Sequence, residues 1–532
     1  MKILKNLITY TAVLMLFFGC EDYLAEEPLS QLSPENYYKT ADHAEAAVVG
    51  AYSALQRDGV YGNKQYFLTT DIIKTAVWNT QGGIGTYTFS SDNVQVVLPF
   101  WRDHFRGINE ANAAINNIPG IDMDVDRRNT LVAQARFLRA LMYFNLVRYF
   151  GDVPYFENQT SSLDNLEVSR DPVEFVYEKI IEDLEFGLLH LDLRSEVEGG
   201  RATLGAAKTL LSKVYLTRAS MSKRDNTGDP TEDFQLAAQY AGEVINDGEY
   251  NLVDYFPDAF IVENKNNEEI IFDVQFKGGG INEGSWIGAH MGLQGNPQLG
   301  GSWGNIHATF YYNTIYEDDD KVRQEWTTPH IQVQGDETLR LDLPSWQVWK
   351  IGKFRRFPVR NSSYQFRDAD MNWPVFRYAE VLLIYAEALN EINNGPTPEV
   401  FNALNQLRAR ARNVNGDGSR EVLHADILPR DISTDSSILP DISLSEYPDY
   451  DAIQEYIMYE RARELGGEAK RWFDLVRWGN LTERIQYLMT TTPPEDQGFD
   501  VTADNVAEFH QLLPIPTTEL QANPNMKQNP GY

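Results

Sequence analysis

Cysteine is almost absent from this sequence, whose 532 residues contain one, at position 20. A lone thiol cannot form an intramolecular disulfide, and it cannot build a cysteine metal site. Basic residues are also scarce, since 46 Lys and Arg stand against 77 Asp and Glu and give a formal net charge of −31. This excess of negative charge disfavours nucleic acid and anionic lipid as partners. Long apolar runs are missing after residue 18, so the sequence predicts no transmembrane helix.

The single cysteine directly follows a segment with the features of an export signal. Lys2 and Lys5 form a basic start, and residues 7–18 form an apolar run that is too short to span a bilayer. The small residue Gly19 then precedes Cys20. This order predicts a lipoprotein signal peptide with acylation of the cysteine. The alternative is an ordinary secretory signal in which the cysteine is incidental.

The residues around this cysteine predict how the mature protein is held. Residues 1–19 are expected to be removed, which leaves acylated Cys20 at the new amino terminus. Residues 20–33 are acidic and polar and predict a flexible tether, about 45 Å long when fully extended. Two or three acyl chains hold a protein body at a membrane without any transmembrane helix. We therefore expect an exported, lipid-anchored protein.

The sequence does contain enough apolar and aromatic residues, 42% and 12%, to bury a large core. Apolar residues recur at helical spacing in most of the first half, and small residues follow them where two helices would cross, as in a tetratricopeptide pair. Generic antiparallel helix packing would give a similar pattern. The sequence predicts a mostly α fold, a right-handed helical-repeat scaffold. The predicted helical segments are residues 41–56, 100–118, 127–149, 172–189, 203–219, 237–241, 379–390 and 401–411.

Two segments break this helical pattern. Between residues 251 and 373, Gly, Asn, Trp and Tyr replace the helical period. A loop-rich excursion of that length is rare in a compact domain unless it carries function. Residues 416–447 are rich in Asp, Ser and Pro and are expected to decorate the surface.

Motifs for catalysis and metal binding are weak. Residues 300–304 match the Gly-X-Ser-X-Gly pattern, but no strand precedes them, so we reject a nucleophile elbow. The spacing of Asp122, Asp124 and Asp126 matches the first ligands of a calcium-binding loop, but the later ligands are missing. An acidic N-cap of the next helix explains these residues better. Glu317–Asp320 predict a solvated acidic turn. The sequence predicts no cofactor, and a structural Ca²⁺ stays open without a supporting motif.

Four blocks of residues together resemble the SusD/RagB family of surface nutrient-binding lipoproteins. They lie in the family's order along nearly all of the mature chain. They are residues 135–154 (ARFLRALMYFNLVRYFGDVP), 377–390 (RYAEVLLIYAEALN), 460–479 (ERARELGGEAKRWFDLVRWG) and the last twenty residues, 513–532, with LPIP and QNPGY. One departure is Gly466–Lys470, where relatives often have a more compact turn.

The resemblance implies a fold of four tetratricopeptide-like helix pairs that support a loop-rich ligand-binding half. It implies an SusD-like domain over residues 34–532, with scaffold mainly in residues 34–250 and 374–480, the excursion 251–373 facing the ligand, and a closing segment 481–532. It further implies an extracellular glycan site without catalysis, on a lipoprotein of the outer membrane that faces the cell exterior. The implied partner is a SusC-like TonB-dependent transporter that receives the glycan.

Several charged and aromatic residues of these blocks are predicted to be structural. Arg136, Arg139 and Arg148 recur on helix faces, where we expect forks to carboxylates of other helices. The expected acceptors are Glu380, Glu387, Glu460 and Glu464. Trp101, Trp472 and Trp478 have apolar neighbours and are expected in the core.

A sugar site needs aromatic platforms on loops, with polar groups that satisfy the hydroxyl rim. The alternative for each tryptophan on such a loop is that it packs against the protein body and anchors the loop. The predicted glycan-binding residues are Trp78, Asn79, Gln81, Trp286, Trp303 and Trp346.

The basic stretch between Lys350 and Arg360, which follows Trp346 and Trp349, has two interpretations. One is a solvated strand edge, and the other is a site in which arginine forks grip uronate or sulfate. The overall negative charge favours a neutral polysaccharide such as a glucan.

Three classes of function remain open from the sequence. The favoured one is a glycan-binding transport subunit. The alternative is a peptide-binding or other nutrient-binding subunit of the same type of transporter. A glycoside hydrolase ranks third, because 77 acidic residues always offer carboxylate pairs but no pattern favours any of them.

Overall fold

The structure is a computed structural model, and the residues that it describes are distributed over the whole domain. They are residues 37–63, 68–75, 83–93, 95–160, 167–281, 283–292, 295, 301–329, 331–334, 337–340, 350–356, 368–412, 439–491 and 505–532. The predicted signal peptide, Cys20 and the predicted tether lie outside the described residues. Within the described residues, no helix is both long and apolar enough to cross a membrane.

Helices dominate the first half of the chain, as the periodicity predicted. Six of them follow one another before residue 250. They are α1 (Ala41–Ser53), α2 (Val97–Asn117), α3 (Val125–Phe150), α4 (Val173–His190), α5 (Leu204–Asp225) and α6 (Thr231–Asp247). A π turn at Asp58–Gly62 follows α1. The Asp124 side chain accepts a hydrogen bond from the Arg127 N–H at the start of α3, so the predicted acidic N-cap is confirmed.

Consecutive helices of this half pack as antiparallel pairs. The hydroxyl of Thr130, near the start of α3, donates to the carbonyl of His190 at the end of α4. The end of α5 is tied to the start of α6 by Arg218 and Asp233, whose Nε and Oδ2 atoms are 2.6 Å apart. Small residues such as Ala206, Ala207, Ala237 and Ala241 are fully buried along α5 and α6. Their size lets the helix axes approach closely, which is the reason for the pattern of small residues in the sequence.

The second half contains the rest of the α-helices, and five of the six short strands among the described residues lie there. The helices are α7 (Ile287–His290), α8 (Phe310–Thr314), α9 (Lys321–Thr327), α10 (Tyr378–Asn393), α11 (Pro398–Ala411), α12 (Tyr450–Leu465), α13 (Arg471–Trp478), α14 (Leu481–Thr491) and α15 (Thr517–Ala522). The strands are β1 (Ile73–Thr75), β2 (Ile270–Val274), β3 (Ile306–Ala308), β4 (Ile331–Gln334), β5 (Glu337–Arg340) and β6 (Trp373–Arg377). They form three antiparallel two-stranded sheets, which pair β1 with β3, β2 with β6 and β4 with β5.

The excursion between residues 251 and 373 is fastened to the helical scaffold by this sheet pairing. Strand β6 leads directly into α10, because Arg377 both ends the strand and caps the helix. Strand β2 runs beside β6, and all five residues of each strand are buried. The described part of the excursion is therefore a set of loops and short elements held against a rigid base.

Arginine forks between helices exist, but their partners differ from the predicted ones. Arg139 pairs with Asp183 on α4, and Arg136 lies 3.7 Å from the same carboxylate. Arg148 forms no ion pair with any described residue. The four predicted carboxylates bind other cations of the core: Glu380 binds Lys213 and Lys470, Glu387 binds Arg477, Glu460 binds Arg323, and Glu464 binds Arg410 and Arg377. The predicted partners were wrong because the sequence shows which residues share a face of one helix, but not which other helix packs against that face.

Four further predictions about burial can be compared with the structure. Trp101 and Trp472 are buried in the core as predicted, while Trp478 is half-buried and donates to a Glu387 carboxylate. The predicted solvated turn at 317–320 is wrong in part, because Asp320 is fully buried against Arg323. The Asp320 carboxylate pairs with the Arg323 guanidinium and is not solvated, since a buried charge requires a close counter-charge.

Candidate functional site

Two of the predicted glycan-binding tryptophans lie together in the described part of the excursion. Trp286 and Trp303 are both half-buried, so neither residue is sealed in the core. Their ring centroids are 6.1 Å apart, with an angle of 59° between the ring planes. Trp78, Asn79, Gln81 and Trp346 fall outside the described residues and stay predictions.

Backbone hydrogen bonds hold the two tryptophans on separate short elements. Ser285 exchanges both backbone hydrogen bonds with Ala369, at 2.8 and 3.2 Å, and this fixes the entry to α7. Trp286 then stands immediately before the first residue of that helix. The Trp303 N–H donates to the carbonyl of Ala289 at 2.8 Å, which places the second loop along α7. Residues 17 positions apart in sequence are thereby brought side by side.

His290 completes the aromatic cluster from beneath. Its ring is stacked on Trp286 at 5.9 Å and 9°, and it meets Trp303 edge-on at 5.3 Å and 68°. The imidazole is buried, and its Nδ1 accepts from the Asn305 amide nitrogen at 3.0 Å. The histidine therefore fixes both tryptophan planes at once.

A buried lysine lies directly behind the Trp303 loop. Strands β1 and β3 bring Lys74 beside His307, and an isolated bridge brings Lys350 to the other side of His307. The Lys350 ammonium lies 2.7 Å from His307 Nε2 and 3.3 Å from the Gly304 carbonyl oxygen. Burial, together with a smaller contribution from the nearby Lys74 ammonium, lowers the pKa of Lys350 to about 7. These groups support the loop rather than present a free cation.

The basic stretch is largely buried, which corrects the interpretation as a solvated edge. Lys350, Lys353, Arg355 and Arg356 are all buried in the described residues 350–356. Lys353 donates to Glu468 at 3.0 Å, Arg355 stacks 3.9 Å above the Trp326 ring, and Arg356 donates to the Gly301 carbonyl. The charges are used internally because buried cations need acceptors. An anion-gripping fork is therefore not formed by these four residues.

The serine of the Gly-X-Ser-X-Gly match lies in the same loop as Trp303. Ser302 is buried, and its hydroxyl accepts from the Gly304 N–H at 3.2 Å. This hydroxyl stabilises a turn and does not stand on a strand-to-helix elbow. Within the described residues, no cluster of three or more His, Asp or Glu side chains could hold a metal ion.

Sequence reasoning found the two tryptophans but missed His290 and Asn305. A signal for the histidine existed, because Trp286 and His290 are four residues apart and such residues share a helix face. The helix in question has only four residues, so no hydrophobic period revealed it. For Asn305, which reaches His290 across a loop, the sequence carries no local signal.

The fold and this aromatic site can now be compared with known proteins. A family model described as "SusD family" matches residues 343–532. A second, described as "Starch-binding associating with outer membrane", matches residues 22–216. The chain belongs to these SusD/RagB and SusD-like families, as the four sequence blocks indicated.

Individual relatives extend the likeness over nearly the whole chain. A SusD-like protein P2 from Formosa agariphila is 29% identical, and the match covers 99% of this chain and all of the relative. The solved structure of a SusD homolog from Bacteroides thetaiotaomicron superposes with a TM-score of 0.81 at 24% identity, covering 94% of this chain and 98% of the other. A solved laminarin-binding SusD-like protein gives a TM-score of 0.70 at 25% identity, covering 93% and 100%. The mostly helical fold class is thus shown by similarity as well as by the helices themselves.

Proposed function

We propose that this protein captures an oligosaccharide or polysaccharide on the Trp286–Trp303 pair. The observation that carries the proposal is the pair itself, two half-buried indoles held at 6.1 Å over a buried histidine. A pyranose has an apolar face of C–H groups, and an aromatic plane is the side chain that matches such a face. The family description "Starch-binding associating with outer membrane" and the laminarin-binding relative support a glycan as ligand.

The preferred ligand is a neutral glycan such as a glucan. The net charge of −31 opposes polyanions, and the buried cations of residues 350–356 already have acceptors. Trp78, Asn79, Gln81 and Trp346 are proposed to extend the platform and to bind the hydroxyl rim. They keep this role as predictions from sequence.

The protein is proposed to work as a lipoprotein of the outer membrane that faces the cell exterior. Acylation of Cys20 would anchor it, and residues 20–33 would let the body move against a neighbour. The proposed partner is a SusC-like TonB-dependent transporter that receives the glycan. The proposed role is binding without catalysis, which the binding described in the family's name supports.

Affinity electrophoresis tests the glycan proposal. The chain from residue 21 to 532 is run through gels that contain starch, laminarin, other neutral polysaccharides or anionic polysaccharides. We expect retardation by a neutral polysaccharide, with about tenfold weaker affinity in Trp286→Ala and Trp303→Ala. Phe175→Ala is the matched control, because Phe175 is a 38% exposed aromatic residue on α4 outside the site.

Each other result has a defined meaning. Retardation only by anionic gels would contradict the neutral preference. Retardation that both tryptophan variants retain would place the glycan elsewhere on the protein. No retardation by any polysaccharide would favour the alternative subunit for peptides or other nutrients, and sugar release during incubation would indicate a hydrolase.

A further inference from the structure

Arg148 differs from the paired arginines of the same helix bundle. Its Nε donates to the Phe144 carbonyl at 3.1 Å, and its Nη2 donates to the Asn145 side-chain oxygen. Its Nη1 donates to none of the described residues, and no described carboxylate pairs with it. The guanidinium is held between two phenyl rings, 3.9 Å from the Phe144 centroid and 4.0 Å from the Phe473 centroid. The result is a half-buried cation that forms no ion pair with a described carboxylate.

This guanidinium lines a cavity of about 890 Å³. The cavity lies where the end of α3, the start of α4, the end of α5, helix α13 and the closing segment meet. Apolar side chains form much of its wall, among them Tyr177, Met221, Phe473 and Leu512. Ligand-binding clefts have volumes of roughly 300–1,000 Å³ and a mostly apolar lining with few polar groups. This cavity is separate from the tryptophan pair, since the two sites share no residue.

A second cation on the wall also binds only neutral acceptors. Arg170 donates to the carbonyls of Asp152, Phe150 and Lys527 at 2.7, 3.0 and 2.9 Å, and to Asn529 Oδ1 at 2.7 Å. Burial lowers the pKa of both Arg148 and Arg170. The Tyr177 hydroxyl lines the same cavity and donates to no described residue. Arg148 and Arg170 therefore give their part of the wall a positive charge, and Tyr177 adds a hydroxyl group.

The rim of this cavity has the opposite charge. Eight carboxylates line it, and seven of them are on exposed residues: Asp152, Glu174, Glu178, Asp225, Asp229, Glu232 and Glu508. A polyanion such as a polyuronate would be repelled by this rim, whereas lysine or arginine side chains would be attracted. The cavity thus matches a ligand with an anionic group inside, an apolar body and cationic groups outside.

We propose that this cavity binds a short basic peptide segment whose terminal carboxylate reaches Arg148. The carboxylate accepts from the free Nη1 edge and from the Tyr177 hydroxyl, as charge-assisted hydrogen bonds. The apolar side chains of the peptide lie against Met221 and Phe473, and its basic side chains pair with the rim. The segment is either a chain terminus of a partner protein or a free peptide, which have the same chemistry.

The test uses two random hexapeptide libraries with lysine and arginine at half of the positions. One library has free carboxyl termini and the other is amidated. We expect the wild-type chain to enrich free-acid peptides, and amidation of an enriched peptide to weaken its affinity about tenfold or more in fluorescence anisotropy. Arg148→Gln should weaken the affinity for the free-acid peptide by the same factor, and Arg148→Lys should weaken it less. The double variant Glu174→Gln and Glu178→Gln should weaken it a few-fold. The enriched sequence is also placed at the carboxyl terminus of a longer chain. Equal affinity in that position indicates the terminus of a partner protein, and binding only as a free hexapeptide indicates a soluble peptide.

Arg136→Gln is the matched control, because Arg136 lies on the same helix and stacks 4.3 Å from the Phe186 ring outside the cavity. It should bind the enriched peptides as the wild type does. Equal enrichment of acid and amide libraries, or no enrichment, would overturn the proposal. Undiminished binding by a folded Arg148→Gln would also overturn it. Arg148→Lys keeps the charge if Arg148→Gln fails to fold. Glycan retardation does not involve Arg148, so failure here is separate from failure of the proposed function.

Discussion

Arg139 on α3 and Asp183 on α4 are joined by two parallel hydrogen bonds of 2.7 Å, Nε to Oδ2 and Nη2 to Oδ1. Both side chains are buried. The remaining nitrogen of Arg139, Nη1, donates to the Asn112 side chain on α2 at 2.8 Å and to the Glu157 carbonyl at 3.0 Å. One guanidinium therefore fixes three helices and a loop relative to one another.

Asp183→Asn should destabilise the protein strongly. The change leaves Arg139 buried without a counter-charge, which costs about 3–5 kcal/mol in free energy of unfolding. Urea unfolding followed by circular dichroism measures it. The neighbouring change Glu182→Gln is the control, because Glu182 is 58% exposed and pairs with Lys179, and we expect a loss below about 1 kcal/mol. Equal losses in the two variants would contradict this account.

The cluster beneath the tryptophans leads to a second prediction. His290→Ala should weaken glycan retardation about as much as loss of one tryptophan, because neither indole plane is then fixed. His290→Phe should retain most of the binding, since a phenyl ring keeps the stacking although it loses the Asn305 bond. Affinity gels and tryptophan emission measure both effects, and we expect a red shift for the alanine variant alone. Full binding by His290→Ala would show that the histidine does not position the pair.

Two glycines, one tightly packed and one in open space, lead to a prediction about stability. A Cβ on Gly59 would lie 1.9 Å from the Pro99 carbonyl oxygen, which is backbone and cannot move away, whereas a Cβ on Gly50 would meet no atom within 4 Å. Gly59→Ala should therefore destabilise by about 1–3 kcal/mol. Gly50→Ala lies within α1 and should stabilise by about 0.5–1 kcal/mol. Thermal unfolding of both variants measures the contrast, and a shift in the same direction would refute it.

The helices of this fold could be predicted because their information is local. The segment 127–149 shows a helical period, and the observed α3 runs over Val125–Phe150 with Asp124 as its cap. Capping and periodicity depend on residues within a few positions of each other. The family blocks gave the order of the scaffold for the same reason, since each block is one continuous stretch of sequence.

The ion pairs could not be predicted because their information is not local. Lys353 and Glu468 are 115 residues apart and meet only in the folded core. The basic stretch therefore resembled a surface feature in the sequence although it is buried. Arg148 was expected to pair and does not, which sequence cannot reveal either. The tryptophan pair lies between these cases, since residue type suggested both members and only the fold brought them together.

His104 leads to a prediction about pH. It is fully buried on α2, with its Nδ1 2.6 Å from the Phe100 carbonyl oxygen. Burial lowers the pKa of His104 to about 4, although the hydrogen bond to Phe100 partly offsets this. The unfolded chain therefore binds a proton between pH 6.5 and pH 4 that the folded protein does not, so stability is present above pH 6.5 and is lost as pH falls toward 4. The loss for this one group is about 3 kcal/mol.

The variant His104→Phe keeps the ring volume and removes the titration. We expect the free energy of unfolding of the variant to fall less than that of the wild type between pH 6.5 and pH 4, with the difference near 3 kcal/mol. His510 has a pKa that burial also lowers to about 4, so both proteins retain that shared fall and only their difference reports on His104. Urea unfolding at half-unit pH steps measures the two curves. Parallel curves over this range would mean that the folded protein protonates His104 as readily as the unfolded chain does, which would contradict a pKa lowered by burial.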